Sequence, residues 1–322
     1  AGKLDDAMAS IEEAVRMRKK TLGATHPKVA DSLVELGIIH LSLNEYDEAL
    51  KVFSEALHMR EEESREILNI TESKEAKLKE AKVLNNIGCV HFEREDSEEA
   101  LHAYDSAVKL QRSALETESR NFSASSQPAS KPSYLTMACT LCNKGYAELE
   151  LNMYEDAIKT FKESLKLQRQ LLSPENPLVM NTMDNLGFAY TMNRKYGKAA
   201  EVYSELLTAQ EAGDAGDKVR INTFRKIVYV QLAIKDNENA LESLRELESI
   251  ELDLYGTESR QWKETHRLMG LVNYEVLKHP MLPTFACFNC GSDNVEEMNL
   301  YSWVPRKPTN GSKMSGHRVT YA

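Results

Sequence analysis

A small residue recurs at a nearly constant interval along the chain, and this recurrence constrains the fold more than any other feature. Alanine follows an acidic pair or a polar run in segments such as DEALKVFSEAL, EEALHAYDSAV and EDAIKTFKESL. The six alanines are Ala7, Ala49, Ala100, Ala157, Ala199 and Ala240. They lie 42, 51, 57, 42 and 41 residues apart, so a period near 42 recurs and the two larger intervals contain insertions. Such repetition is typical of stacked helix pairs.

A second small residue lies twelve positions before each alanine from the second onward. These residues are Gly37, Gly88, Gly145, Gly187 and Val228. Glycine costs about 1 kcal/mol relative to alanine inside a helix, so its recurrence in a helical pattern indicates that two helices approach closely. We expect the alanine to face this residue across the pair, with an apolar residue one turn further along the same side.

The order of these residues resembles the tetratricopeptide motif over most of the chain. In the clearest unit the signature positions are Leu36, Gly37, His40, Tyr46, Ala49, Phe53 and Ala56. The 42-residue period resembles that of the kinesin light chain subclass, whose units are longer than the common form. The resemblance implies an all-α fold, a right-handed superhelical solenoid of antiparallel helix pairs, with a short irregular C-terminal tail.

Prolines and composition divide the chain into an array over residues 1–279 and a tail or small appendage over residues 280–322. The array is expected to contain five complete units between two half units. The half units are 1–27 and 263–278, and the complete units are about 30–63, 81–114, 138–171, 180–213 and 221–254. Of the two insertions, the charged residues 61–80 are expected to extend neighbouring helices, and the Ser- and Pro-rich residues 117–133 to form a flexible loop.

Charge and hydropathy exclude several classes of function. The chain has 50 acidic and 40 basic residues, which argues against a binder of nucleic acid or anionic membranes because phosphates attract positive faces. No stretch has the roughly 20 apolar residues of a membrane helix, and the first residues lack the pattern of a signal peptide. Five cysteines are an odd and sparse set, which favours a soluble protein of a reducing intracellular compartment.

The sequence contains no arrangement of residues that is typical of an enzyme. We find no glycine-rich phosphate loop before a helix, no paired histidines at metal spacing and no serine nucleophile between glycines. We therefore predict a protein without catalytic residues that holds another protein or a peptide.

Functional residues are expected on the first helix of each unit, because these helices line the concave side of the resembled fold. At the sixth position three consecutive units carry asparagine, namely Asn86, Asn143 and Asn185. An amide offers a donor and an acceptor to a peptide backbone, and asparagines at this place hold the ligand main chain in the resembled family. The alternative is that these amides bond only to neighbouring side chains.

Aromatic residues follow the asparagines along the same helices. Tyr146, Phe188 and Tyr229 occupy the ninth position of their units, and Phe92 lies one turn beyond it in another unit. Aromatic rings on a concave wall would grip apolar side chains of a ligand. The alternative is a place in the core, since an error of one residue in helical phase turns a side chain by about 100 degrees.

Three cations lie at the fifth or sixth positions near the end of the array: Arg225, Lys226 and Arg267. Together they would form a positive patch that favours an acidic segment or a C-terminal carboxylate of a partner. Pairing with acids of the same face, such as Asp184 or Glu264, would cancel this patch.

The tail carries two cysteines at the spacing of metal ligands. Cys287 and Cys290 resemble one knuckle of a zinc ribbon, because two thiolates separated by two residues bind one tetrahedral ion. A complete site needs four ligands, and after Cys290 the sequence has no further cysteine and a single histidine, His317. The alternatives are zinc shared with His317 or with another chain, a redox pair, and two unpaired thiols.

The predicted function is that of an interaction scaffold or adaptor that binds a peptide or partner protein in the concave groove. One alternative is a structural subunit of a large multiprotein assembly, and another is a metal- or redox-dependent regulator that uses the two tail cysteines. Kinesin light chains also need a coiled coil to reach the motor, and no sustained heptad pattern occurs here. Because the first residues lie in the middle of a predicted helix pair, we expect the sequence to be a fragment.

Overall fold

A computed structural model describes residues 2–67, 70–119 and 131–277 of the protein. In these ranges the regular structure consists of twelve α-helices and includes no β-strand, which confirms the predicted all-α fold class. The chain divides into two compact bodies, an N-terminal body that ends at Leu171 and a C-terminal body that begins at Leu172. None of the helices in the described ranges has an apolar stretch long enough to span a bilayer. The predicted C-terminal tail lies outside these ranges.

The N-terminal body contains seven helices, each packed against the next. They are α1 (Gly2–Leu22), α2 (Pro27–Ser42), α3 (Tyr46–Glu66), α4 (Ile70–Glu93), α5 (Ser97–Ser119), α6 (Lys131–Glu150) and α7 (Tyr154–Leu171). The first helices α2, α4 and α6 each pair with the second helix that follows, and α4 also contacts both α2 and α6. This arrangement brings equivalent positions of successive first helices next to each other.

The C-terminal body contains five helices. They are α8 (Pro177–Met192), α9 (Tyr196–Ala212), α10 (Asp217–Ala233), α11 (Asn237–Tyr255) and α12 (Arg260–Leu277). The first helices α8 and α10 pair with α9 and α11, and α12 packs on α11. Within the described residues α12 is a first helix without a second helix after it.

Several helices start earlier than the units predicted from the sequence. The α2 helix begins at Pro27 because the His26 side chain accepts a hydrogen bond of 3.1 Å from the Lys28 amide and caps the first turn. Asn176 caps α8 in the same way, ahead of Pro177. The charged insertion over residues 61–80 belongs largely to α3 and α4, since its helix-forming residues continue both helices. Residues 120–130 of the predicted flexible loop lie outside the described ranges.

The recurring glycines allow close packing in four of the helix pairs. A Cβ atom on Gly37 would lie 2.5 Å from the Phe53 ring, and one on Gly145 would lie 2.7 Å from the Phe161 ring. The same contact joins Gly88 to Tyr104 and Gly187 to Tyr203. The expectation that the anchor alanine faces the glycine is therefore wrong, because the aromatic ring one turn further on fills this space. The anchor alanines of α3, α5, α7, α9 and α11 are fully buried as well.

A polar residue near the end of each second helix is also buried. These residues lie eleven positions after the anchor alanine and are Arg60, Gln111, Gln168, Gln210 and Glu251. Gln111 Nε2 donates a hydrogen bond of 3.0 Å to Thr140 Oγ1 on α6, and Thr265 Oγ1 on α12 donates one of 2.6 Å to Glu251 Oε2. Buried polar groups of this kind require partners, so these bonds specify how a second helix meets the next first helix.

Substitution of Gly187 by alanine tests the glycine contact. The added methyl group would overlap the buried Tyr203 ring, so we expect Gly187→Ala to lower the free energy of unfolding by about 1–3 kcal/mol. Gly197→Ala in α9 is the matched control, because no atom lies within 4 Å of a Cβ there. That control should be neutral or stabilise by up to about 1 kcal/mol. Denaturant unfolding measures both, and equal stability of the two variants would contradict the proposed packing.

Candidate functional site

Two of the predicted asparagines lie on the first helices of the N-terminal body. Asn86 on α4 and Asn143 on α6 are buried, with no more than 3% of either residue exposed. Asn143 Nδ2 donates hydrogen bonds to Asn85 Oδ1 at 3.0 Å and to Cys89 Sγ at 3.6 Å. The amide of α6 is therefore oriented by α4, with its donor side turned toward that helix.

Asn85 was not among the sequence-predicted residues, although it contributes to the same cluster. It is fully buried, accepts the bond from Asn143, and donates a long contact of 3.9 Å to Cys89 Sγ. The signal available in the sequence was the pair of adjacent asparagines at positions 85 and 86. The count of repeat positions selects only Asn86, whereas in the structure Asn85 forms the hydrogen bond between the first helices α4 and α6.

The predicted aromatic residues are mostly buried. Tyr146 on α6 packs edge-on against Phe161, with ring centroids 5.8 Å apart, so it takes part in the core of its helix pair. Phe92 and Phe188 are also buried. Tyr229 on α10 is half-buried and lies edge-on to Tyr196, with ring centroids 6.3 Å apart. Tyr229 is thus the most exposed of the four predicted rings.

The third asparagine, Asn185 on α8, belongs to the C-terminal body. It is buried, and its Nδ2 donates a hydrogen bond of 2.7 Å to the Asn181 carbonyl of its own helix. On the neighbouring first helix, Lys226 takes the equivalent position and pairs with Asp184 of α8. The Lys226 ammonium also lies 5.7 Å from the centroid of the Tyr203 ring. An ion pair therefore joins the first helices α8 and α10, whereas a hydrogen bond between side-chain amides joins α4 and α6 in the N-terminal body.

The three predicted cations differ in their partners. Arg225 Nη2 donates to Glu251 Oε1 at 2.6 Å, and this buried acid lies on α11 rather than on a first helix. Lys226 is paired as described, whereas Arg267 has no hydrogen bond or ion pair with any described residue. For Arg225 and Lys226 the structure thus shows the alternative to the predicted patch, which is pairing with carboxylates of the chain. Two of its members are neutralised within the chain because α8 and α11 supply carboxylates at bonding distance.

Sequence-family models described as tetratricopeptide repeat match residues 1–62 and 136–212 and, with a second model, residues 81–121. These ranges cover more than half of the chain. The chain belongs to the tetratricopeptide repeat (TPR) family. Comparison with curated proteins gives no sequence match.

Solved structures share this TPR fold at low sequence identity. The TPR-like repeats of a putative kinesin light chain from Podosopora anserina have a TM-score of 0.53 and 13% identity, covering 73% of this chain and 99% of that one. BtubC (BKLC) from P. vanneervenii has a TM-score of 0.50 and 16% identity, with coverages of 80% and 94%. The apo form of RapI has a TM-score of 0.57 and 15% identity, with coverages of 85% and 67%. At such identities these matches show the fold alone.

Membership of the TPR family supports a role as a protein interaction scaffold, with protein or peptide partners. TPR proteins are generally scaffolds without catalytic activity, in line with the absence of an enzyme motif from the sequence. The 42-residue period of the kinesin light chain subclass stays a prediction.

The predicted metal ligands Cys287 and Cys290, with His317, lie outside the described residues, so a zinc site there stays a prediction. Within the described part of this TPR chain, no group of three or more histidine, cysteine, aspartate or glutamate residues is arranged to hold a metal ion. The described cysteines, Cys89 and two on α6, are buried and form no disulfide with a described residue.

One buried carboxyl group of the TPR array has an unusual environment. Glu148 on α6 is buried, and none of the described residues donates a hydrogen bond to its Oε2 atom. Lys144 Nζ lies 3.5 Å from Glu148 Oε1 and 2.6 Å from Asp105 Oδ1. Burial raises the pKa of Glu148 and outweighs the opposing effects of the hydrogen bond from Thr160 and the charge of Lys144.

This environment predicts a pH-dependent loss of stability. The pKa of Glu148 is higher in the folded than in the unfolded chain. Just above the ordinary glutamate range, its carboxyl group is therefore still protonated in the folded chain and already ionised in the unfolded chain. Stability therefore falls as the pH passes from the unfolded to the folded pKa. We expect Glu148→Gln to raise the free energy of unfolding at pH 7 by on the order of 1 kcal/mol, because an unsatisfied buried carboxylate is removed. The gain should vanish near pH 3, more than one unit below the ordinary pKa of glutamate, where both states of the wild type are protonated.

Urea unfolding at the two pH values measures this difference. Glu201→Gln is the control, since Glu201 is exposed on α9 and should change stability little at either pH. A Glu148→Gln variant less stable than the wild type at pH 7 would show that the ion pair with Lys144 dominates instead.

Proposed function

We propose that the protein is a scaffold that binds an extended or helical peptide segment of a partner protein along its first-helix faces. These faces are defined by the fifth, sixth and ninth positions of α4 and α6 in one body and of α8 and α10 in the other. These are the positions that the sequence predicts to line a groove. Membership of the TPR family and the regular pairing of the helices support this proposal.

The observation that carries the proposal is the orientation of the Asn143 amide. Both Nδ2 hydrogens have acceptors, Asn85 Oδ1 and Cys89 Sγ, and no described residue donates a hydrogen bond to Asn143 Oδ1. Two bonds from α4 thus hold the amide with its acceptor side directed away from that helix. A peptide N–H group is the donor that such a fixed acceptor suits. Main-chain recognition of this kind would tolerate many ligand side chains.

The half-buried Tyr229 supports a contact with an apolar ligand side chain in the C-terminal body. Its ring is held edge-on by Tyr196, so little side-chain entropy remains to be lost when a ligand binds. Aromatic residues with these properties are common among the residues that contribute most to binding energy. The proposed interactions are therefore main-chain hydrogen bonds in the N-terminal body and an aromatic contact in the C-terminal body.

Triple substitution of the asparagines tests the function. We expect Asn86→Ala, Asn143→Ala and Asn185→Ala together to weaken partner capture from native extract by about tenfold or more, because each amide contributes roughly 0.5–1.5 kcal/mol. Captured proteins are identified by mass spectrometry, and circular dichroism verifies that the variant remains folded. The matched control replaces three exposed lysines of second helices by alanine: Lys51, Lys109 and Lys162.

Capture by the lysine control at the wild-type level, together with loss in the folded asparagine variant, supports the first-helix faces as the binding surface. Undiminished capture by the asparagine variant would refute it. If the triple variant does not fold, Asn185→Ala alone replaces it, because the Asn185 amide donates to a carbonyl of its own helix. A folded single variant with undiminished affinity for the captured partner would then refute a role of Asn185.

A further inference from the structure

The face of α6 that carries Asn143 is buried along its whole length. This α6 face consists of the second, fifth, sixth, ninth and twelfth unit positions, which are Cys139, Cys142, Asn143, Tyr146 and Leu149. Each of these residues is at most 9% exposed. In a stack of helix pairs, the second helix of a pair covers the other side of the first helix, so this face is the one left for a ligand. Its burial therefore requires a cause beyond the helix pair itself.

The same positions of α10 provide a matched comparison. Each of the two first helices packs against the second helix before it and the second helix after it. Position nine is tyrosine and position twelve is leucine in both. On α6 Tyr146 is 7% exposed and Leu149 is 1% exposed, whereas Tyr229 and Leu232 on α10 are only half-buried. Because the residue types and the kinds of neighbouring helix are the same, the difference indicates that a further segment covers α6.

The equivalent face of the first helices in the N-terminal body, extended to the thirteenth position, is acidic. Across α2, α4 and α6 it carries four carboxylates and one lysine: Asp31, Glu35, Glu93, Glu150 and Lys82. Arg60 of α3 pairs with Asp31. Burial lowers the pKa of Lys82, and the nearby charges of Asp31 and Glu35 oppose this effect. A covering segment that has positive charges and no acids would complement this face.

The end of the sequence has the composition that this face requires. Residues 298–322 contain no acidic residue, several apolar residues such as Leu300 and Trp303, and four cations: Arg306, Lys307, Lys313 and Arg318. The last described helix, α12, ends at Leu277. At about 3.3 Å per residue, residues 278–305 can span up to about 90 Å, which is about three times the length of a 20-residue helix.

We propose that residues 298–322 bind along the α6 face and the adjoining face of α4 as an internal ligand of the chain. The cations would lie toward Glu93 and Glu150, and the apolar residues would cover the thiol, aromatic and aliphatic side chains of α6. The segment would thereby occupy the surface to which the proposed function assigns a partner. Only this competition with a partner rests on the proposed function, whereas the docking of the segment does not.

Carbodiimide cross-linking of the full chain tests the docking without any partner. This reagent joins a carboxylate to an amine that lies in contact with it, and mass spectrometry identifies the joined residues. We expect amide cross-links from Lys307 or Lys313 to Glu93 or Glu150. Cross-links of the two lysines only to exposed acids of second helices, such as Glu98 on α5, would overturn the proposal, and so would their absence.

A mixture of unlabelled and nitrogen-15-labelled chains shows whether the segment binds its own chain. Docking within one chain gives cross-linked peptides in which both parts carry the same label. Cross-links that join a labelled part to an unlabelled part would show that the segment of a second copy covers the face. That outcome would overturn the proposal of an internal ligand.

Alkylation of Cys139 on the α6 face gives an independent readout. In a tail variant, glutamine replaces the four cations of residues 298–322. We expect Cys139 to react about tenfold faster in this variant than in the wild type, because weaker docking uncovers the thiol. The matched control replaces four exposed cations of second helices by glutamine: Lys51, Lys109, Lys162 and Arg245. The control should react at the wild-type rate, and an equally slow tail variant would overturn the proposal.

Partner capture from native extract separates the docking from its consequence. If the segment and a partner compete for the same face, the tail variant should capture about tenfold more partner than the wild type, and the second-helix control should not. Equal capture by the tail variant and the wild type would overturn the competition. If neither form captures a partner, the proposed function fails, while the cross-links and the alkylation rates still decide whether the segment docks.

Discussion

The contact between a glycine of the first helix and an aromatic ring of the second is the interaction on which each of four helix pairs depends. At Gly37, Gly88, Gly145 and Gly187 the absence of a side chain lets the ring lie against the helix backbone. In the pair α10 and α11 the larger Val228 meets Leu244 instead, and both are fully buried in one apolar cluster. The volume that valine adds on one helix is thus matched by a smaller side chain on the other, leucine in place of an aromatic ring, as close packing requires.

This packing within a pair determines which side of the first helix remains for other contacts. Once the glycine side faces the second helix, positions five and six lie toward the neighbouring first helices. In the N-terminal body this brings Asn143 to Asn85, and in the C-terminal body it brings Lys226 to Asp184. The same places are therefore joined by a hydrogen bond between side-chain amides in one body and by an ion pair in the other.

The sequence predicted the fold well because its signals are local and repeated. The glycines, the anchor alanines and the capped starts at Pro27 and Pro177 each act within one helix pair, so their consequences can be read from spacing. The candidate site was less predictable. Asn85 and Asn86 are adjacent, and the sequence does not show which of them faces the next first helix. Only the packed helices show that Asn85 accepts the bond from Asn143. The positive patch was expected because the partners of Arg225 and Lys226 lie 26 and 42 residues away.

By itself the sequence determined the all-α class, the TPR pairing of helices and the residue types offered at each repeat position. Periodicity is sufficient for these conclusions because each unit packs mainly against its immediate neighbours. Only the tertiary structure decided which polar groups neutralise one another and which stay unpaired. Hydrogen bonds and ion pairs depend on distances of a few ångströms between side chains of different helices. Arg225 and Lys226 illustrate this, since only the packed helices bring Glu251 and Asp184 to bonding distance of them.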